Sequence, residues 1–168
     1  MKPDAAEKVV AGLKQAGIDF VAYLPETRLS EILPPLKADE SFTLVPVASE
    51  AEAIGIAAGA SLGGKQPAVY MEGTGVFVSA YNLLTVGERY GVPMLLLVSY
   101  IGSMEDRRSS FLYSHYGTHM LPQLDALGLQ YDILGDDENV EVKIKNAVRM
   151  MHGLKQPVVL LFTGEFTI

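Results

Sequence analysis

Four short polar segments hold the side chains that can do chemistry, and each follows an apolar, strand-like run. They are LPETR (24–28), VASE (47–50), MEGTG (71–75) and the long stretch SYIGSMEDRRSSFLYSHYGTH (99–119). Carboxylate, hydroxyl, guanidinium and imidazole groups all occur in them. In open parallel sheets, ligands bind beyond the carboxyl ends of the strands. The spacing therefore predicts a site built from these loops.

The apolar pattern predicts the elements that position the loops. Six strand-like runs alternate with helical patterns, and runs such as MLLLV and VVLLF are apolar without alternation. Strands covered on both faces belong to parallel sheets with right-handed crossovers. We predict one α/β domain over residues 1–168, with a three-layer architecture and a six-stranded, mainly parallel sheet. We also expect a helix over about 76–89 and an irregular loop over 101–116.

Composition narrows the class of partner. The 168 residues include 20 acidic and 13 basic side chains, for a net charge of -7, and no cysteine. The negative charge argues against nucleic acid or an anionic membrane surface as a partner. The lack of cysteine excludes disulfides and thiolate metal sites. Because the first residues lack the apolar core of a signal peptide, and no apolar run reaches the length of a membrane span, we expect a cytoplasmic protein.

Glu50 is the carboxylate whose position invites two interpretations. Ser49 and Glu52 have the S-x-x-E spacing of a capping box, which places Glu50 at the first helical position. An acid there gains about 0.3–1 kcal/mol from the helix dipole and needs no other role. The helix that follows is rich in glycine and alanine, although each interior glycine costs about 1 kcal/mol. Helix-on-sheet packing and close approach of a cofactor both explain those small residues.

Taken together, these segments resemble a known family. ASEAEAIGIAAGASLGGKQPAVYMEGTG (48–75), AYNLLT (80–85) and GVPMLLLVSYIG (91–102) are similar to the pyrimidine-binding (PYR) domain of thiamine diphosphate-dependent decarboxylases. The resemblance covers almost the whole chain. It is closest to the alpha subunits of sulfopyruvate decarboxylases and to the matching half of phosphonopyruvate decarboxylases.

The resemblance implies a role for Glu50. Its carboxyl group would hydrogen-bond the ring nitrogen of the aminopyrimidine, opposite the amino group, and favour the imino tautomer that deprotonates the thiazolium carbon. The activated cofactor then attacks a 2-oxo acid, which loses CO2. A turn close to the cofactor ring is implied at Gly73, Thr74, Gly75 and Val76. Val76 and Ser79 stand where relatives carry asparagines, which leaves the identity of the oxo acid open.

Candidate substrate residues lie in the first and last polar segments. Family members contact substrate or the partner chain through the first, which here holds Pro25, Glu26 and Thr27; a helix start capped by Thr27 is the alternative. The long segment holds a cationic group that suits a sulfonate or phosphonate. Its members are Arg107, Arg108, His115 and His119. In the alternative interpretation, Glu105 and Asp106 neutralise the arginines of a solvated loop.

The resemblance also implies a partner. The family holds Mg2+ and the diphosphate on a G-D-G segment with a downstream asparagine, in a second domain, and GDDEN (135–139) does not match that pattern. We therefore expect no metal ligands in this chain. A beta subunit would carry the diphosphate and magnesium site, in an alpha2beta2 or larger assembly. An isolated chain would be able to dimerise through the helix that contains Gly55 and Gly59.

Two other functions stay open from the sequence. One is a related thiamine-dependent carboligase, or a decarboxylase of another oxo acid, favoured by the altered turn at Val76 and Ser79. The other is a non-catalytic α/β ligand-binding module in which Glu50 is only a helix-start acid.

Overall fold

Six strands of the described residues form one sheet. The computed structural model describes residues 1–108 and 110–168, so Ser109 of the predicted loop lies outside the described residues. The strands are β1 (Phe20–Tyr23), β2 (Thr43–Pro46), β3 (Pro67–Glu72), β4 (Met94–Ser99), β5 (Gln130–Leu134) and β6 (Pro157–Phe162). Their order is β2-β1-β3-β4-β6-β5, and every neighbouring pair is parallel. The predicted fold class is confirmed. All six residues of both β4 and β6 are buried, as their unbroken apolar runs predicted.

Helices cover both faces of the sheet. One face packs against α1 (Pro3–Gln15), a 3-10 turn (Ser30–Ile32), α2 (Leu33–Ala38) and α7 (Val140–Leu154). The other packs against α3 (Glu50–Leu62), α4 (Thr74–Val78), α5 (Ala80–Asn82), a π-helical segment (Leu83–Glu88) and α6 (Phe111–Ala126). A last 3-10 turn spans Gly164–Thr167. Among the described residues, no helix combines the length and apolar character needed to cross a membrane.

Helix α3 begins at Glu50, as predicted. The hydroxyl of Ser49 accepts a hydrogen bond from the Glu52 amide at 3.2 Å, and the Glu52 carboxylate accepts one from the Ala48 amide at 2.7 Å. The buried face of α3 is made of small and branched apolar residues that lie on the sheet. Gly55 and Gly59 are exposed, and a Cβ added to either would meet nothing within 4 Å. Packing on the sheet therefore does not require these two glycines.

The predicted helix over 76–89 is wrong as a single element. The chain instead forms α4, α5 and the π-helical segment in succession. The side chain of Asn82 donates to the Ala51 carbonyl at 2.8 Å, which ties α5 to α3. Gly87 then lies against the next layer, since an added Cβ would be 2.6 Å from Pro157 Cγ. Hydrophobic periodicity alone does not report such a change of helix type.

The predicted irregular loop over 101–116 is wrong beyond residue 110, because α6 begins at Phe111. The first turns of α6 lack an amphipathic pattern, since Phe111 and Leu112 both project into solvent. The helix is held by backbone proximity instead. Gly117 packs against Gly102, and the Tyr100 hydroxyl donates to the Gly117 carbonyl at 3.1 Å.

Candidate functional site

An acidic pocket of about 310 Å³ opens at the carboxyl ends of β1, β2 and β3. The chain leaves β1 toward the helices of one face and leaves β3 toward those of the other, so a crevice forms between the two neighbouring strands. Ligands of open α/β sheets bind at such a switch point. The pocket is lined by Leu24, Pro25, Glu26, Thr27, Glu50 and Glu72. We call it the acidic pocket.

Glu50 enters the acidic pocket from the start of α3. Its side chain lies over Gly75, where an added Cβ would sit 3.0 Å from Glu50 Cβ and 2.9 Å from Met71 Sδ. Only glycine at position 75 allows the start of α4 to come this close. Within the described part of the chain, no hydrogen bond or ion pair engages the Glu50 carboxylate. The group is positioned by the backbone and left available to a ligand.

Glu26 enters the pocket from the loop after β1. Its two carboxylate oxygens accept hydrogen bonds from the amides of Arg28 at 2.7 Å and Leu29 at 2.5 Å. The Tyr70 hydroxyl donates to the same carboxylate at 3.3 Å. Burial raises the pKa of Glu26 against the opposing effect of the two amides, and the charge of Glu72 raises it further. Thr27 does not cap a helix here, because the 3-10 turn that follows β1 begins at Ser30, with Leu29 at its N-cap position.

The predicted turn at Gly73–Val76 lies at the end of β3 and the start of α4. A Cβ on Gly73 would be 2.7 Å from the Ser99 carbonyl oxygen, so this position also requires glycine. The Thr74 hydroxyl donates to Glu72 at 3.0 Å. Val76 packs in the core. The turn thus contacts Glu50 through Gly75 and Glu72 through Thr74. The sequence did not single out Glu72, although it directly follows a predicted strand and lies in one of the four polar segments.

The negative charge of the acidic pocket restricts the kind of ligand that can bind there. Three carboxylates share the pocket, and no lysine or arginine is among its lining residues in the described chain. A phosphate or sulfonate would be repelled there. A ring that presents N–H donors and a basic nitrogen matches the carboxylates, as an aminopyrimidine does. The described residues also include no group of three or more side chains able to hold a metal ion.

The predicted cationic residues of the long segment do not enter the acidic pocket. The guanidinium of Arg108 donates to the carbonyl of Thr27 at 3.1 Å and to that of Ile168 at 2.9 Å. Arg107 lines a different pocket of about 410 Å³, beside Glu105 and Asp136. Arg108 therefore holds two backbone segments of the chain together, and Arg107 shares its pocket with two acidic residues.

His115 and His119 lie on the exposed side of α6. Their ring centroids are 4.5 Å apart, and the Nδ1 atom of His119 lies 2.8 Å from the His115 carbonyl oxygen. Together with Phe77 and Tyr116 they border a groove of about 420 Å³ between α4 and α6. The groove and the acidic pocket share no lining residue. The structure thus brings Glu26, Thr27 and Pro25 to Glu50, but not the two histidines.

A buried ion pair was missed by the sequence analysis. Arg28 Nη2 lies 3.3 Å from Asp106 Oδ2, and the two side chains are 9% and 0% exposed. Nothing in the sequence pairs residue 28 with residue 106. From the sequence, Asp106 is expected only to neutralise the arginines beside it.

Comparisons with known proteins agree with this geometry. The model of the family "Thiamine pyrophosphate enzyme, N-terminal TPP binding domain" matches residues 3–129. Sulfopyruvate decarboxylase subunit alpha of Methanothermobacter thermautotrophicus is 39% identical over 61% of this chain and 62% of that protein. The subunit alpha of Methanococcus maripaludis is 27% identical over 97% of this chain and 96% of its own length.

Other relatives are much longer than the region they share with this chain. The sulfopyruvate decarboxylase of Methanosarcina acetivorans is 30% identical over 80% of this chain, but over only 34% of that protein. Among solved structures, 2-oxoglutarate:ferredoxin oxidoreductase from Magnetococcus marinus has a TM-score of 0.74 at 18% identity. That likeness covers 98% of this chain and 29% of the other, and it supports the fold.

Proposed function

Because the chain belongs to the family of thiamine pyrophosphate enzyme N-terminal TPP binding domains, we propose that it is the alpha subunit of a thiamine diphosphate-dependent 2-oxo acid decarboxylase. The relatives favour the sulfopyruvate type, with phosphonopyruvate as the closely related substrate. One observation carries the proposal: Glu50 projects, without a partner in the described chain, into an acidic pocket at the switch point of the sheet.

The acidic pocket fits one end of this cofactor. When bound, thiamine diphosphate supplies the electron sink that accepts the electron pair left by departing CO2. Glu50 would hold a proton against the pyrimidine ring nitrogen, and Gly75 leaves room for that contact. Positioned proton transfer of this kind contributes about 10²–10⁴-fold to rate. Glu26 and Glu72 provide acceptors for further N–H groups and exclude anions from the pyrimidine end.

The anionic groups must be bound elsewhere. Three carboxylates would repel the diphosphate, so we assign the diphosphate, together with the Mg2+ bound to it, to a beta subunit that carries the diphosphate-binding (PP) domain. Arg107, His115 and His119 are the cationic candidates in this chain for the sulfonate or phosphonate of the substrate. They lie outside the acidic pocket, so they would bind the anionic end of a substrate and not the pyrimidine end of the cofactor.

The surface beside the acidic pocket suits a second chain. Gly55 and Gly59 form an open stripe on α3, and α3 and α5 each expose a large apolar side chain. Leu62 and Tyr81 are 75% and 76% exposed. Small residues let another backbone approach closely, and exposed apolar groups mark interaction surfaces. We propose that the partner subunit or a second alpha chain covers this surface in an alpha2beta2 or larger assembly.

A decarboxylase or carboligase acting on another oxo acid is the second candidate. Val76 and Ser79, which replace the asparagines of relatives, are both fully buried and do not line the acidic pocket. Their contribution to substrate choice would therefore be indirect. A panel of 2-oxo acids decides between the two candidates.

Affinity purification with the native partner tests the proposal. The tagged chain is purified from its native cells with magnesium and thiamine diphosphate, and the proteins that accompany it are sequenced. We expect a stoichiometric partner with G-D-G and a downstream asparagine, and CO2 release from a 2-oxo acid by the complex. A folded chain that purifies alone and does not retain the cofactor would favour the binding module instead.

A further inference from the structure

The turn that presents Glu26 to the acidic pocket is held by a distant part of the chain. Arg28 Nη2 pairs with Asp106 at 3.3 Å and also donates to the carbonyl of Arg108 at 3.0 Å. The Arg28 guanidinium lies over the ring of Tyr113, 5.7 Å from its centroid. We call the pair of Arg28 and Asp106 the clamp. Its side chains are buried, and neither residue lines the acidic pocket.

Asp106 is fully engaged at its end of the clamp. Its Oδ2 atom accepts from the Gly102 amide at 2.8 Å as well as from Arg28, and its Oδ1 atom accepts from the Arg108 amide at 3.0 Å. A buried carboxylate persists only when it is paired and hydrogen-bonded. The backbone of the loop after β4 therefore folds around Asp106, and the position of the Arg28 guanidinium is fixed by its contact with this carboxylate.

The clamp is connected to the acidic pocket through the backbone of Arg28. The same residue that pairs with Asp106 donates its amide to the Glu26 carboxylate at 2.7 Å. Arg108, next to Asp106, donates to the carbonyl of Thr27 at 3.1 Å. Residues 26–28 are consequently held by side-chain and backbone contacts that converge from the loop after β4.

We propose that Asp106, acting through Arg28, is a positioning residue that fixes the Glu26 carboxylate in the acidic pocket. The consequence for catalysis rests on the proposed function, whereas the consequence for the turn does not. Asp106 does not line the pocket. Its influence passes through Arg28 and Arg108, which contact the Glu26 carboxylate and the Thr27 carbonyl.

Amide hydrogen exchange on the full chain tests the structural step. Asp106→Asn keeps the shape of the side chain but removes its charge and one acceptor. We expect the amides of Arg28 and Leu29 to exchange about tenfold faster or more, while amides of β3 and β4 keep their wild-type rates. Val148→Ala, which trims the core under α7, serves as the control that lowers global stability without touching the clamp. Unchanged exchange at Arg28 and Leu29 in Asp106→Asn would overturn the proposal.

Kinetics of the complex with its partner test the catalytic step. At saturating thiamine diphosphate and below the unfolding temperature of each variant, we expect kcat of Asp106→Asn to fall about tenfold, while Val148→Ala keeps the wild-type kcat. Faster local exchange together with a wild-type kcat and pH profile would refute the positioning role. Arg28→Lys keeps a positive charge beside Asp106, so its loss of kcat should be smaller than that of Asp106→Asn. It serves as the test variant if Asp106→Asn does not fold. An inactive wild-type complex would refute the proposed function, while the exchange experiment would still decide the clamp.

Discussion

The acidic pocket and the clamp adjoin each other at residues 26–28, yet their charges are arranged in opposite ways. In the pocket, Glu26, Glu50 and Glu72 share one space with no cation among the lining residues of the described chain. In the clamp, Arg28 and Asp106 neutralise each other in the interior. Several carboxylates in one space without a cation are costly unless a ligand offsets their charge. The difference separates a surface built for a ligand from a contact built for the fold.

Glu50→Gln should have the largest effect on activity. Gln cannot pass a proton to a ring nitrogen, so we expect kcat of the complex to fall by about 10²–10⁴-fold. The unfolding midpoint should stay near the wild-type value because no contact within the described chain is lost. Glu52→Gln, two residues away on the same helix, is the control and should retain activity. Equal losses in both variants would show that α3 was disturbed and that Glu50 has no special role.

Asp106→Ala should have the largest effect on stability. It leaves the Arg28 guanidinium buried without a counter-charge, which costs about 3–5 kcal/mol in comparable pairs. Asp137, whose pair with Lys8 at 2.8 Å lies at the surface, is the control, and Asp137→Ala should change stability little. Urea denaturation measures both. If the two variants lost equal stability, the contrast between the clamp and ordinary surface pairs would not hold.

Two glycines should respond in opposite ways to the same substitution. Gly75→Ala forces a methyl group against Glu50 and Met71, which should cost about 1–3 kcal/mol and weaken cofactor binding. Gly59→Ala meets open space and should stabilise the isolated chain by up to about 1 kcal/mol. Thermal unfolding and a thiamine diphosphate titration of the complex give the comparison. A stabilising Gly75→Ala would contradict the close approach of α4 to Glu50.

The smallest effect is a pH dependence of stability. Burial raises the pKa of Glu26 above its ordinary value of 4.5, so folding favours the protonated form. The stabilising contribution is complete below that ordinary value and is lost as the pH rises through the raised pKa. Glu26→Gln has no ionisable group at this position and serves as the reference. The free energy of unfolding of the wild type minus that of Glu26→Gln should therefore fall as the pH is raised through the range above 4.5. A difference that rises over this range would mean that the amides of Arg28 and Leu29 outweigh burial.

Much of the fold was predictable because its signals are local. The apolar runs of β4 and β6 and the cap at Ser49 each follow from residues close together in the chain. The broken helix after Gly73 and the early start of α6 were not predictable in the same way. They depend on contacts such as Asn82 with Ala51 and Gly117 with Gly102, which join segments far apart in sequence.

The same distinction between local and long-range contacts applies to the residues of the site. Glu50 was found because a cap, a helix rich in small residues and a family pattern coincide at it. Arg108 and Glu50 both follow predicted strands. The sequence does not show that Arg108 is hydrogen-bonded within the chain, while Glu50 has no side-chain partner among the described residues. Glu72 and the clamp went unnoticed because their significance arises only when β1, β3 and the loop after β4 come together.

The rate at which the thiazolium C2 proton of bound thiamine diphosphate exchanges with deuterium tests the central claim most directly. The measurement needs the complex and the cofactor but no knowledge of the oxo acid. We predict exchange in the wild-type complex about a hundredfold faster, or more, than in the Glu50→Gln complex at equal cofactor saturation. Equal rates in the two complexes would contradict the assignment of Glu50 as the group that activates the aminopyrimidine.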